Sequence, residues 1–456
     1  MPDIVSPGRA LQKAQVAAMP APTFSPSMIE QLNEEFAVAL AGGKAVIIRE
    51  DPGAEPGHKV EFMSRDSFLL WTQNRQVYYD GKQVPIGQIW LKSALRRTYR
   101  GVVFDPGGKG RDGHYNLWRG WSVEPSPDGD ASPFFELIHD VICGGDGELS
   151  AWVTGWFAQI VQHPAKKPGT ALVLRGGQGA GKTMVGEIFG WLMPDHYILV
   201  DDPRYLVHNF NAHMASCLLL QADEGFWAGD KQAEGRLKGL ITSEYQMIEA
   251  KGVDPVRMRN HVRLFITSNE DWVVPAGMRE RRFCVIDVPP VRQQDRLYFG
   301  RLRSHMSKPE NLAALLWELQ HFNLDAVDVS RIPRTQALLD QIVDAMDSFV
   351  AWWMQCLDIG GVPGKCEEWP EFIPTRWLYE SYYQSWERRR IGKPLLERSF
   401  GKRFRAMCPS ARRERRLPPD EAVSDRKWGY VLPPLAVARR EFEEVVGQSV
   451  DWLDDV

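Results

Sequence analysis

Between Thr170 and about Val288, short apolar runs alternate with stretches of helical spacing. The runs Ala171–Leu174, Cys217–Ala222, Val262–Thr267 and Cys284–Val288 are each too short for a helix and are bounded by polar or glycine-rich turns. That alternation predicts a largely parallel α/β sheet. Upstream the pattern is mixed. Ala45–Arg49 predicts a short strand, and Gln76–Tyr79 followed by Asp80 and Gly81 predicts a hairpin with its turn. Trp152, Trp156, Ile160 and Val161 repeat at helical spacing, which predicts helices over Phe134–Ile142 and Leu149–Gln162. Residues 301–357 are mostly helical in pattern. From Trp369 onward come two amphipathic helical patterns, a basic stretch and a strand at Lys427–Leu432.

Proline, glycine and serine concentrate at Glu124–Pro133, a linker, and His163–Gly169 closes the helix before the first core strand. The expected organisation is an N-terminal α+β domain over 1–130, a helical connector over 134–167 and an α/β core over 168–300. A helical segment over 301–357, a C-terminal module over 358–440 and an acidic tail over 441–456 follow.

Composition narrows the classes. With 456 residues, 44% hydrophobic and 25% charged, the chain is long enough for several cores and too apolar for global disorder. No apolar run approaches the roughly 18 residues of a membrane span, and Lys13 interrupts the only apolar stretch before Phe24. Six cysteines show no C-x-x-C pairing and no zinc-ligand spacing with the ten histidines, so free thiols in a reducing, cytoplasmic compartment are expected. A net charge of −4 hides an uneven distribution. Thr375–Arg416 carries 13 Lys/Arg against 4 Asp/Glu, a local +9, as expected of a surface that meets a polyanion.

The strongest chemical signal is Gly176, Gly177, Gln178, Gly179, Ala180, Gly181, Lys182 and Thr183, a complete G-x-x-x-x-G-K-T. It follows the run Ala171–Leu174 and opens the helical pattern Met184–Trp191, the strand–loop–helix context the motif requires. Its glycines let backbone N–H groups and a helix N-terminus face a polyphosphate. Lys182 is expected to neutralise the β/γ oxygens of ATP, and the Thr183 hydroxyl to ligate Mg²⁺. The apolar run ending in Asp223 and Glu224 brings carboxylates to the same sheet edge: Asp223 for the Mg²⁺ shell, Glu224 to polarise the attacking water. A third run ends in Ser268 and Asn269, whose amide can orient water and read a γ-phosphate. Arg279, Arg281 and Arg282 then precede Cys284–Val288, and Arg281 or Arg282 is the candidate finger supplied by a neighbouring subunit.

In that order these residues, with Lys167–Gly177 and Lys238–Thr242, resemble a superfamily 3 helicase, and more narrowly the helicase portion of phage and plasmid primase-helicases. The resemblance covers roughly 115–300 and is looser over 301–440. It implies an AAA+-like P-loop ATPase core, a ring, expected to be hexameric, of identical chains, and translocation on single-stranded or forked DNA, with a primase or another replication protein as partner. It also implies a pore hairpin, here Gln246–Pro255 with Lys251 near its tip, joined by Lys238, Arg257 and Arg259. Tracking phosphates with one cation per subunit needs no base reading. The C-terminal segment resembles the winged-helix module of such helicases, with Ser399, Lys402, Arg403 and Arg405 on a recognition helix and Arg412, Arg413, Arg415 and Arg416 in or near the wing.

One departure matters. No D-x-D pair follows a strand before Gly176, so priming is not expected from this chain, and 1–130 is expected to be a collar or docking domain. The alternative to a helicase is an initiator that uses ATP as an assembly switch and melts or marks an origin without processive unwinding.

Overall fold

The computed structural model describes residues 21–202, 211–223, 231–249, 255–270, 273–274, 280–345, 348–389, 394–417, 426–447, 449–450 and 452. The chain divides into two compact units, Met1–Val103 with Arg111–Leu117, and Phe104–Gly110 with Trp118–Val456. The linker stretch Glu124–Pro133 therefore belongs to the second unit.

In the first unit, helix α1 (Ser27–Glu35) buries Ile29 and Leu32 and leads into an antiparallel sheet of β1 (Phe36–Ala41), β2 (Lys44–Glu50) and β3 (Val60–Met63). Helix α2 (Arg65–Trp71) precedes the hairpin β4 (Gln76–Tyr79) and β5 (Lys82–Pro85), whose turn residues Asp80 and Gly81 both have positive φ, 50° and 72°. That geometry matches the twist of the flanking strands. After α3 (Ile86–Lys92), the short strands β6 (Gly101–Val103) and β7 (His114–Asn116) pair in parallel. Phe36, Phe68 and Trp90, all fully buried, form the core of this unit, with ring centroids 4.9–6.2 Å apart.

In the second unit, the helix expected over Phe134–Ile142 is α-helical only as α4 (Ser132–Glu136) and continues as a π-turn over Leu137–Ile142. Helix α5 (Gly147–Gln162) begins two residues before its apolar pattern because the Asp146 carboxylate caps it, accepting the Leu149 N–H at 3.0 Å. Beside it lies a five-stranded parallel sheet built from β8 (Ala171–Arg175), β9 (Tyr197–Val200), β10 (Leu219–Asp223), β13 (Arg263–Ser268) and β14 (Phe283–Asp287). Its spatial order is β14-β8-β13-β10-β9. Strands β8, β10, β13 and β14 are almost wholly buried, which is why they run apolar without alternation. Helix α6 (Lys182–Gly190) follows β8. Helix α7 (Lys231–Thr242) and the antiparallel ribbon β11 (Tyr245–Ile248) and β12 (Val256–Arg259) lie between β10 and β13 in sequence.

Arg263, fully buried at the start of β13, pairs with no carboxylate among the described residues. Its guanidinium donates to the carbonyls of Pro164, His261, His163 and Lys166 at 2.6–2.9 Å and so pins the loop that feeds β8. Burial lowers its pKa to about 9.

Beyond the sheet come α8 (Arg296–Met306), α9 (Pro309–His321), α10 (Gln336–Ala345) and α11 (Ser348–Asp358). The C-terminal part has an antiparallel sheet of β15 (Phe372–Pro374), β16 (Arg412–Arg416) and β17 (Lys427–Val431), in the order β15-β17-β16. Helices α12 (Thr375–Arg389), α13 (Glu397–Met407) and α14 (Leu435–Val446) complete it. Phe349, Trp352, Tyr382, Phe400, Phe404 and Tyr430 form an aromatic core there. No helix of the described residues is long and apolar enough to cross a membrane.

Candidate nucleotide site

Parallel strands bring their carboxyl ends to one edge of the sheet, and the crevice outside that edge is where a ligand is expected. Here β8 ends in the loop Gly176–Gly181, β10 in Asp223, and β13 in Ser268 and Asn269. The loop needs its glycines. Gly179 and Gly181 have φ of +77° and +90°, and a side chain at Gly181 would begin 2.6 Å from the Phe299 ring. Gly181 caps α6, whose first residues are Lys182 and Thr183.

Lys182 is buried. Its ammonium donates to the carbonyls of Gly176 and Gly177 at 2.6 and 2.8 Å and to Asn269 Oδ1 at 2.9 Å. Asn269 thus reaches the same lysine that is expected to meet a phosphate. The Thr183 hydroxyl donates toward Asp223 Oδ1 and Oδ2, 3.1 Å from each, and the Thr267 hydroxyl bonds the same carboxylate. Neighbouring ligands of an octahedral Mg²⁺, each about 2.1 Å from the metal, stand about 3 Å apart. The spacing of Thr183 and Asp223 oxygens matches that edge, and both are the hard oxygens this ion prefers. The donor set therefore fits Mg²⁺, and the loop fits a polyphosphate.

Several supporting residues gave only faint sequence signals. Gln221, fully buried, interrupts the apolar run of β10. Its amide donates to the Thr183 carbonyl at 3.2 Å and accepts from the Tyr197 hydroxyl at 2.8 Å, tying α6 to β10 and β9. Burial, followed by the charges of Glu187 and Asp223, pushes the Tyr197 hydroxyl far above its usual range, so it stays protonated and donates. At the end of β8, Arg175 bonds both Asp287 on β14 and Asp340 on α10, and its hydrogen bond to Asp287 above all holds it charged. Gln294, one of two non-glycine residues of positive φ among those described, donates its backbone N–H to the Gly179 carbonyl at 2.9 Å, and the Gln293 side chain bonds the Gln178 carbonyl. The segment after β14 thereby lies against the glycine loop.

Other candidates lie apart from this edge. Arg281 and Arg282 precede β14, and the Arg282 carbonyl accepts from Ala171 N at the start of β8. They sit at the amino end of the strands, on the order of 16 Å along β8 from the glycine loop of their own chain. Glu280, buried beneath them, accepts the N–H groups of Arg281 and Arg282 at 2.9 and 2.8 Å and stands 3.6 Å from the Arg282 guanidinium. Arg282 is thus turned onto its own chain, whereas Arg281 is exposed. Glu224, Lys251 and Arg279 lie outside the described residues.

Lys238 lies on α7, half-buried, and the end of that helix is held by Lys167 and Asn260, which donate to the carbonyls of Leu240 and Ser243. Arg257 is exposed on β12, its guanidinium 4.0 Å from the Tyr245 ring centroid. Lys402 and Arg405 are exposed on α13, Arg403 is half-buried, and Arg412 and Arg413 are exposed on β16. Arg416 is engaged by Glu371 and Glu414, at 2.9 Å each.

A model described as a family of unknown function (DUF5906) matches residues 174–282, a span that holds the glycine loop, Asp223 and Asn269. A DNA primase-polymerase of Nitratiruptor phage NrS-1 is 24% identical over 221 residues, 46% of this chain and 31% of the phage protein. The matched region is thus under a third of that relative's length. The apo structure of the NrS-1 C-terminal region superposes with a TM-score of 0.64 at 17% identity, covering 89% of this chain and 98% of that one. A second apo form of the same region gives 0.63 at 16%, with the same coverage. At that identity the likeness is one of fold. The chain is similar in sequence to a phage DNA-replication protein and in fold to the C-terminal region of NrS-1.

Proposed function

We propose that this chain is the ATP-driven motor of a phage, plasmid or mobile-element replication system, a ring-forming DNA helicase with an AAA+-like P-loop core and a winged-helix-like C-terminal module. The observation that carries the reading is the convergence of Lys182, Thr183, Asp223 and Asn269 at the carboxyl edge of one parallel sheet. The relation to a phage DNA primase-polymerase supports a replication role, and the absence of a D-x-D pair after any strand before Gly176 turns the reading from priming toward the motor.

In this reading the N–H groups of Gly177–Thr183 cradle the triphosphate, and Thr183 and Asp223 would hold Mg²⁺, which would supply charge neutralisation on the phosphate oxygens. Lys182 exchanges its bonds to the Gly176 and Gly177 carbonyls for phosphate oxygens. Asn269, already bonded to that ammonium, keeps it aimed at the terminal phosphate and orients the attacking water. Glu224 accepts that water's proton. The placement of Arg281 away from its own glycine loop suits a residue that serves the neighbouring subunit's phosphates. Lys251, Lys238 and Arg257 carry the strand through the ring, and Lys402, Arg403, Arg405, Arg412 and Arg413 hold duplex or fork phosphates.

Purified protein is expected to hydrolyse ATP faster with single-stranded DNA and to unwind forked substrates, with both activities lost in Lys182→Ala. ATP hydrolysis by a protein that neither binds DNA nor responds to it would overturn the reading.

A further inference from the structure

We propose that Trp428, on strand β17, is a stacking platform for an unpaired nucleobase of single-stranded DNA; the inference rests on the DNA-motor reading above. Trp428 is 56% exposed, while Tyr430, two residues on and so on the same face of the strand, is 2% exposed and packs 4.7 Å from the Phe404 ring of α13. The fold can therefore bury an aromatic ring on this face, yet leaves the indole in solvent. An exposed apolar side chain alone is ordinary; its surroundings are not.

The strand register pairs Arg415 directly with Trp428 and Arg413 with Tyr430. Cross-strand partners share a face, so Arg413, Arg415 and Trp428 project together. The Arg413 guanidinium lies over the indole, 5.3 Å from the ring centroid, and Arg415 donates to the Arg426 carbonyl. On the opposite face Arg416 is matched by Glu371 and Glu414, while Arg412 is exposed. The ribbon thus groups two arginines and an exposed indole on the face away from its Glu414 carboxylate. Lys402 and Arg405 are exposed on α13, the helix that covers Tyr430.

A surface of cations around an aromatic ring, with the arginines drawn from the Thr375–Arg416 segment of local charge +9, suits a ligand with phosphates and flat rings at regular spacing. In a duplex the base faces are already stacked, so the indole has a partner only where a strand is unpaired. The arginines then hold the backbone while Trp428 registers that the strand is open.

The test is fluorescence anisotropy of the full chain with a labelled oligo(dT) and with a blunt duplex of equal length, over a salt series. Trp428→Ala is expected to weaken oligo(dT) binding on the order of tenfold, with Trp428→Phe close to wild type and the blunt duplex unaffected. Because the indole carries no charge, the salt slope of Trp428→Ala should equal that of wild type, while Arg413→Gln flattens it by about 0.7. Wild type that binds oligo(dT) while Trp428→Ala binds it equally well, or loses single strand and duplex alike, overturns the inference and leaves the motor reading standing. Wild type that binds no oligonucleotide overturns both.

Discussion

The Thr183 hydroxyl lies 3.1 Å from each carboxylate oxygen of Asp223, across 40 residues of sequence and two elements of the sheet edge. The pair exists because α6 begins immediately after the glycine loop and β10 ends level with it. Strand β13 stands between β8 and β10, and it contributes Thr267 to the same carboxylate. The strand bearing the acid is therefore one position removed from the loop strand, which leaves the crevice between them open.

Replacing Asp223 with Asn keeps the shape but removes the charge and one of the two oxygens. ATP turnover at saturating Mg²⁺ should fall at least on the order of 100-fold. Thr183→Ser, which keeps the hydroxyl, should retain most of the activity. Steady-state ATPase assays over a Mg²⁺ series measure both, and an Asp223→Asn enzyme within about twofold of wild type would refute metal binding at this pair.

Arg281 and Lys182 lie at opposite ends of β8 in one chain, so a shared site requires two chains. Arg281→Ala alone should lower turnover by about 10³-fold or more, the range of a finger arginine. Mixing it with Lys182→Ala should restore activity, because an interface pairing Lys182 of one variant with Arg281 of the other is intact. Inactive mixtures at every ratio, from variants shown to co-assemble, would remove Arg281 from the site. Arg282→Ala is expected to act differently. It strips a cation from buried Glu280 and should lower the melting temperature more than the turnover.

The glycine loop and its strand were legible in the sequence because phosphate binding demands particular residues at fixed spacing, and an apolar run ending in acid marks a buried strand reaching the same edge. Arg281 and Arg282 were legible as cations before a strand, but the end of the sheet they occupy follows from strand direction and order, which no local pattern encodes. Gln221 was visible only as a polar residue within Leu219–Ala222, and its bond to Thr183 depends on how closely α6 approaches β10, where Gly186 makes room for it. The π-turn at Leu137–Ile142 keeps the apolar spacing of a helix, so hydrophobic periodicity alone could not distinguish it. Gln293 and Gln294 meet the glycine loop from beyond β14, a contact set by tertiary packing.

His261 makes the second unit sensitive to acid. The imidazole is 3% exposed, packed edge-on to Phe104 and next in chain but one to buried Arg263. Burial first, and the Arg263 charge second, lower its pKa to about 4. In the unfolded chain the same group takes a proton near pH 6.5. Between those values the unfolded state binds more protons than the folded one, so stability is full above about pH 6.5 and declines as pH falls toward 4. The loss at the bottom of that window is on the order of 3 kcal/mol. His261→Leu removes the titration while keeping an apolar filling beside Phe104. Urea midpoints measured from pH 7 to pH 4 should therefore fall more steeply for wild type than for the variant. Parallel curves across the window would mean that His261 is protonated in the folded protein as readily as in the unfolded chain.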